Sequence, residues 1–123
     1  LLSVELNADA VRDAKKNSKL NGIQNMRFVC ADATEFITEM AQSGETADIV
    51  IMDPPRKGCE PGVIHELAMR KPIRVCHVFC GTDEIPASLK EWERYGYRVR
   101  EVQPLDLFPG TPHLETIVML ERK

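Results

Sequence analysis

At 123 residues, 43% of them hydrophobic and 28% charged, the chain suffices for one small domain with a real core and has an ordinary globular composition. A formal net charge of -3 argues against a protein that binds nucleic acid over its whole surface. It leaves room for local basic patches at Arg56-Lys57, Arg70-Lys71-Arg74 and Arg94-Arg98-Arg100, each of which reads equally well as solvated surface charge. No apolar run is long enough to span a bilayer, and Leu1-Leu2-Ser3 lacks the basic start of a signal peptide, so a soluble, cytoplasmic protein with no membrane partner is expected.

Leu1 to Glu5 reads as a strand ending in an acid, with Asn7 as the N-cap of a helix over Ala8 to Leu20. Ala10, Val11 and Ala14 form the inward side of that helix, and Asn21-Gly22 stops it. Met26 to Cys30 is a second strand, followed at once by Asp32. Ala33 to Gln42 is a second helix with Phe36, Ile37, Met40 and Ala41 as its buried stripe. Ala47 to Met52 is short, β-branched and bounded by breakers, which predicts a strand buried on both faces. Pro54 and Pro55 have no N–H to extend its ladder, so Asp53 is pinned at the strand's carboxyl end, where open α/β sheets place their ligands.

Pro61 suits the first position of a helix whose apolar face is Val63, Ile64, Leu67 and Ala68. Ile73 to Phe79 is a strand ending at Cys80-Gly81, and Pro86 to Tyr95 a helix with Leu89 and Trp92 inward. Tyr97 to Val102 reads as a strand, Pro104 to Pro112 as a proline-punctuated loop, and Glu115 to Glu121 as the final strand. Strands alternating with helices of this length predict one α/β unit with a mostly parallel sheet and an antiparallel C-terminal strand.

Cys30, Cys59, Cys76 and Cys80 show no paired C-x-x-C spacing. On one extended strand Cys76 and Cys80 would share a face about 13 Å apart, too far for a disulfide or a shared metal, with His77 on the other face. No metal site is expected, and free thiols suit a reducing compartment. Glu5, Asp32 and Asp53 all follow strands directly. There a carboxylate can accept both hydroxyls of a ribose, or accept from an exocyclic amine; the same placement also suits a solvated cap. Cys80 falls at a strand end rather than inside the apolar run, and Glu115 opens a strand after a rigid approach, where a carboxylate can serve as a base. His113 either assists there or caps.

Three stretches together carry a resemblance. They are Val4-Glu5-Leu6-Asn7 with Ala10-Val11 and Ala14; Asp53-Pro54-Pro55-Arg56-Lys57-Gly58; and Pro104-Leu105-Asp106-Leu107-Phe108-Pro109-Gly110-Thr111-Pro112-His113-Leu114-Glu115-Thr116. With them the chain resembles, over essentially its whole length, the RNA uracil-5-methyltransferases, S-adenosylmethionine-dependent enzymes with a Rossmann-like class I sheet that form 5-methyluridine in tRNA or rRNA. The resemblance implies that Glu5 holds the cofactor ribose, that Asp32 lies near the adenine and that Asp53 lines the cofactor and target-base site. It further implies Cys80 as nucleophile, Glu115 as base, and RNA contacts at Arg56 and Lys57; His113 is a further candidate for the substrate RNA.

The chain departs from the family at Phe79-Cys80-Gly81-Thr82, where the family has Ser-Cys-Asn-Pro around its nucleophile. It also begins at the fold's second strand, without the first strand and its glycine-rich cofactor loop. The expectation is a C-terminal portion, residues 1–123, of a longer catalytic domain, inactive by itself. Two other readings stay open: a non-catalytic RNA- or nucleotide-binding module built on the fold, and an exocyclic-amine methyltransferase. Arg56 stands where the latter has an aromatic residue.

Overall fold

The computed structural model describes residues 1–123, which form two compact units, 1–43 and 44–123. In the first unit the chain runs β1 (Leu2–Glu5), α1 (Ala8–Leu20), β2 (Arg27–Cys30) and α2 (Ala33–Ser43). Helix α1 starts where expected because Asn7 Oδ1 accepts the backbone N–H groups of Asp9 and Ala10, at 2.9 and 3.0 Å. It stops in a Schellman turn. Gly22, at φ +66°, donates to the Lys19 carbonyl and Ile23 to that of Ser18. The turn feeds β2, which pairs parallel with β1 so that Glu5 stands beside Cys30.

The inward face of α1 is Val11, Ala14 and Ser18 rather than one including Ala10, which is exposed. Ser18 is buried because its hydroxyl donates to the Ile23 carbonyl at 2.8 Å. The expected buried stripe of α2 is only half-covered at Phe36, Ile37 and Met40, and Ala41 is exposed.

The second unit runs β3 (Ile49–Met52), α3 (Val63–Met69), β4 (Arg74–Phe79), α4 (Ile85–Arg94), β5 (Tyr97–Leu105) and β6 (Glu115–Arg122). Its four strands lie in the order β3-β4-β6-β5. β3 and β4 are parallel, and β6 is antiparallel to both β4 and β5, so the reversed C-terminal strand lies inside this sheet.

One sheet face carries the core. Val75, His77 and Phe79 of β4 stand beside Leu120, Val118 and Thr116 of β6, all buried. Helix α4 closes this face through Trp92, whose indole N–H donates to His77 Nδ1 at 3.2 Å and whose ring meets Tyr97 edge-on at 5.1 Å. Tyr97 in turn donates its hydroxyl to the Pro72 carbonyl at 2.8 Å. Helix α3 buries Val63, Ile64, Leu67 and Ala68.

Four expectations are corrected. β3 is an edge strand, with Ile49 60% and Ile51 72% exposed, so it is not buried on both faces. Pro61 lies in a turn and α3 begins at Val63 after Gly62, whose φ of +89° suits glycine. Pro86 is inside the first turn of α4, which begins one residue earlier at Ile85. β5 runs on through Pro104 to Leu105, which a proline permits because β5 is the sheet's outer strand. No helix of the chain is long and apolar enough to cross a membrane.

Candidate active site

Within the second unit, three chain segments converge at one end of the sheet. Asp53 is the first residue past β3 and Cys80 the first past β4, and these strands run parallel. Glu115 opens β6, which runs the other way. The last β4–β6 pair is Phe79 with Thr116, so Cys80 and Glu115 are the next residues on the two strands. Asp53, Cys80 and Glu115 accordingly bring a carboxylate, a sulfur and a second carboxylate within 4.8 Å of one another, with Cys80 and Glu115 half-buried and Asp53 exposed.

The local chemistry fixes this placement. The Cys80 thiol donates to the Pro54 carbonyl at 3.5 Å, tying the end of β4 to the Asp-Pro-Pro turn after β3. That turn closes with Gly58 N–H on the Pro55 carbonyl at 2.8 Å. Gly58 is buried at φ +86°, so the turn needs glycine for its conformation; a Cβ there would stand 2.8 Å from Glu84 Oε2, a contact that the end of the glutamate side chain relieves by turning away. On the other side, Phe108-Pro109-Gly110-Thr111 forms a type II turn. Thr111 N–H donates to the Phe108 carbonyl at 3.2 Å, and Gly110 has φ +80°. Thr111 Oγ1 then accepts the His113 N–H at 3.3 Å, two residues before Glu115.

The remaining sequence-predicted residues are placed as follows. Arg56 is exposed, and its Cγ would lie 3.6 Å from a Cβ at Gly81, so the glycine after Cys80 is where the arginine stem passes. Lys57 is exposed and donates to Glu60 at 2.6 Å, which raises its ammonium pKa above the ordinary value. His113 is exposed.

Glu5 and Asp32 belong to the first unit, at the carboxyl ends of β1 and β2. Both already have local work. Glu5 Oε1 accepts the Asn7 N–H at 2.8 Å, and Asp32 Oδ1 accepts those of Thr34 and Glu35 at 2.9 and 3.1 Å as the cap of α2. Each carboxylate keeps a second oxygen for a hydroxyl or amine donor.

Sequence reasoning did not identify the Pro54 carbonyl or the turn conformation of Gly58 as supports of the site. The glycine was findable, since a buried turn after two prolines is a place where only glycine fits. The Pro54 carbonyl was not, because its bond to Cys80 depends on how β3 and β4 pair. Of the other thiols, Cys59 is pushed up to about 11 by burial and by Glu91 and Glu84, so it is a poor thiolate.

The sequence model of the tRNA (uracil-5-)-methyltransferase family matches residues 1–123. Among curated proteins, an uncharacterised RNA methyltransferase of Geobacter sulfurreducens is 41% identical over 98% of this chain and 24% of its own length. One of Halalkalibacterium halodurans is 38% identical over 98% of the chain and 26% of its own length. The chain thus spans about a quarter of these relatives. Among solved structures, the Pyrococcus abyssi tRNA (uracil-54, C5)-methyltransferase in complex with S-adenosyl-L-homocysteine superposes with a TM-score of 0.77 at 28% identity, over 97% of this chain and 28% of that one. A SAM-dependent methyltransferase of Agrobacterium tumefaciens shares the fold, with a TM-score of 0.75 at 20% identity over 99% of this chain and 49% of that one. With the α/β sheet, its reversed last strand and the convergence of Asp53, Cys80 and Glu115, the whole-length match shows that the chain belongs to the tRNA (uracil-5-)-methyltransferase family.

Proposed function

We propose that the chain is part of a longer enzyme that uses S-adenosylmethionine to methylate uracil C5 in tRNA or rRNA, through a covalent bond between Cys80 and uracil C6. The observation that carries this reading is the closeness of Cys80 Sγ to the Glu115 carboxylate. C5 and C6 are adjacent ring atoms, so a nucleophile for one and a base for the other must share one small patch.

Uracil C5 is a weak nucleophile. Addition of the Cys80 thiolate at C6 places a negative charge on the C4–C5–O4 system and turns C5 into a competent one. S-adenosylmethionine, when bound, supplies the electrophilic methyl group. Glu115 then takes the C5 proton, and breaking the C6–S bond returns the thiolate and restores the 5,6 double bond. Asp53 stands beside both groups, at the same strand ends. A uridine reaches both groups only after leaving its stack, and Arg56, Lys57 and His113, all exposed at this end of the unit, are the side chains we assign to RNA.

The cofactor fits the first unit's donor set. The unused oxygens of Glu5 and Asp32 would accept from ribose hydroxyls and from the adenine region respectively.

The test uses the full-length protein, S-adenosylmethionine and RNA containing 5-fluorouridine, read by intact mass. Fluorine at C5 cannot leave as a proton, so the reaction stalls as an RNA adduct, mapped to Cys80 and absent in Cys80→Ala. The 123-residue chain alone is expected to give none. Retained RNA binding with no adduct in the full-length protein would instead establish a non-catalytic RNA-binding module.

A further inference from the structure

Asp53, Cys80 and Glu115 offer one sulfur and two carboxylate oxygens, from three different strand ends, within 4.8 Å of one another. Zinc bonds thiolate at about 2.3 Å and carboxylate oxygen at about 2.0–2.2 Å, so donors sharing one ion stand roughly 3–4 Å apart. Closing that difference of about 1 Å requires the two carboxylates, carried on rotatable side chains, to turn toward the sulfur. Cys80 and Glu115 are half-buried while Asp53 is exposed, so the fourth position of a tetrahedral ion would face solvent.

The donor types also select among ions. A sulfur ligand disfavours magnesium and calcium, which prefer oxygen alone and, for calcium, six or more ligands. A mixed sulfur and oxygen set suits zinc and, more strongly, the softer cadmium. The other three cysteines are not part of such a set. Cys59 is half-buried with a raised pKa, Cys30 donates to the Leu6 carbonyl, and Cys76 lies within β4.

We propose that this trio binds a thiophilic divalent cation of the zinc class, which acts as a reversible block on the site. The binding needs only the three donors. Its consequence, that one ion removes nucleophile and base together, rests on the methylation reading.

The test adds cadmium, under a non-thiol reductant, to the full-length protein and records the ultraviolet thiolate-to-cadmium charge-transfer band. One ion per chain is expected. The band should vanish in Cys80→Ser and persist in Cys59→Ser. Asp53→Asn and Glu115→Gln should each weaken binding about tenfold or more, since loss of a direct ligand costs at least what loss of an outer partner does. A band that survives Cys80→Ser overturns the proposal. So does wild-type affinity in both carboxylate variants, which would leave only a lone thiol.

The readout does not involve methyl transfer. Cadmium binding with no fluorouridine adduct in the full-length protein would keep the metal site and discard the methylation reading. An adduct without cadmium binding would do the reverse.

Discussion

The two units differ in how much of themselves they bury. The second buries Trp92, Tyr97, Leu120, His77, Val75 and Val118 almost completely, whereas in the first only Val11 and Ser18 are buried. Both use the same strand-and-helix grammar, so the difference lies in partners. β4 has a strand on each side and a helix over its core face, while β1 pairs with β2 alone. The unit with the firm core is also the one that brings Asp53, Cys80 and Glu115 together. A reacting constellation has to be held by rigid surroundings, and the strand ends of a packed sheet provide them.

The largest expected effect breaks that core. Trp92→Ala removes a fully buried indole and its edge contact with Tyr97, and leaves His77 Nδ1 without its donor. A loss of about 3–5 kcal/mol is expected, near the whole stability of a small domain. Val11→Ala in the first unit removes two methyl carbons from a thin core and should cost about 1–2 kcal/mol. Urea unfolding followed by far-ultraviolet circular dichroism reads both, since Trp92 is the only tryptophan. Equal costs would show that the two units do not differ in packing as described.

A middle-sized effect is titratable. His77 is 1% exposed, and burial lowers its pKa to about 4 from an ordinary 6.5. Its Nδ1 accepts from Trp92, so the neutral ring carries its proton on Nε2, which has no partner. The unfolded chain therefore binds the extra proton more readily. The resulting contribution is fully present above pH 6.5 and is lost as pH falls from 6.5 towards 4. At about 1.4 kcal/mol per pKa unit, it amounts to about 3 kcal/mol. Stability curves between pH 7 and 4 should show this slope in the wild type and a flatter one in His77→Gln. Parallel curves would mean that another group titrates.

The strand and helix order was legible because apolar periodicity and breakers are local. Asn7 and Asn21-Gly22 marked both ends of α1 through capping chemistry that needs no tertiary context. Burial was less legible. Ile49-Val50-Ile51-Met52 is apolar enough for a central strand, but periodicity carries no information about which neighbours are present, and Ile49 and Ile51 are exposed. Cys80 and Glu115 could be marked as strand-edge residues, with roles supplied by resemblance. Their closeness depends on β6 inserting antiparallel beside β4, which no local signal specifies. The Trp92–His77 bond was hidden for the same reason, since it joins a helix face to a strand face.

The smallest effect on stability separates the two kinds of work an acid does in the first unit. Asp32 caps α2 with one oxygen, a role that asparagine fills as well as aspartate. Asp32→Asn should therefore change unfolding stability by less than about 0.5 kcal/mol. If its other oxygen also accepts from the adenine region of S-adenosylmethionine, as proposed, the substitution offers an amide where an acceptor is needed and removes the charge that strengthens the bond. Cofactor affinity in the full-length protein should then fall several-fold, read by calorimetry, with the unfolding curve unmoved. Unchanged affinity would leave Asp32 as a cap alone. The first unit's contribution to the cofactor would then rest on Glu5, whose free oxygen is not committed to holding a helix.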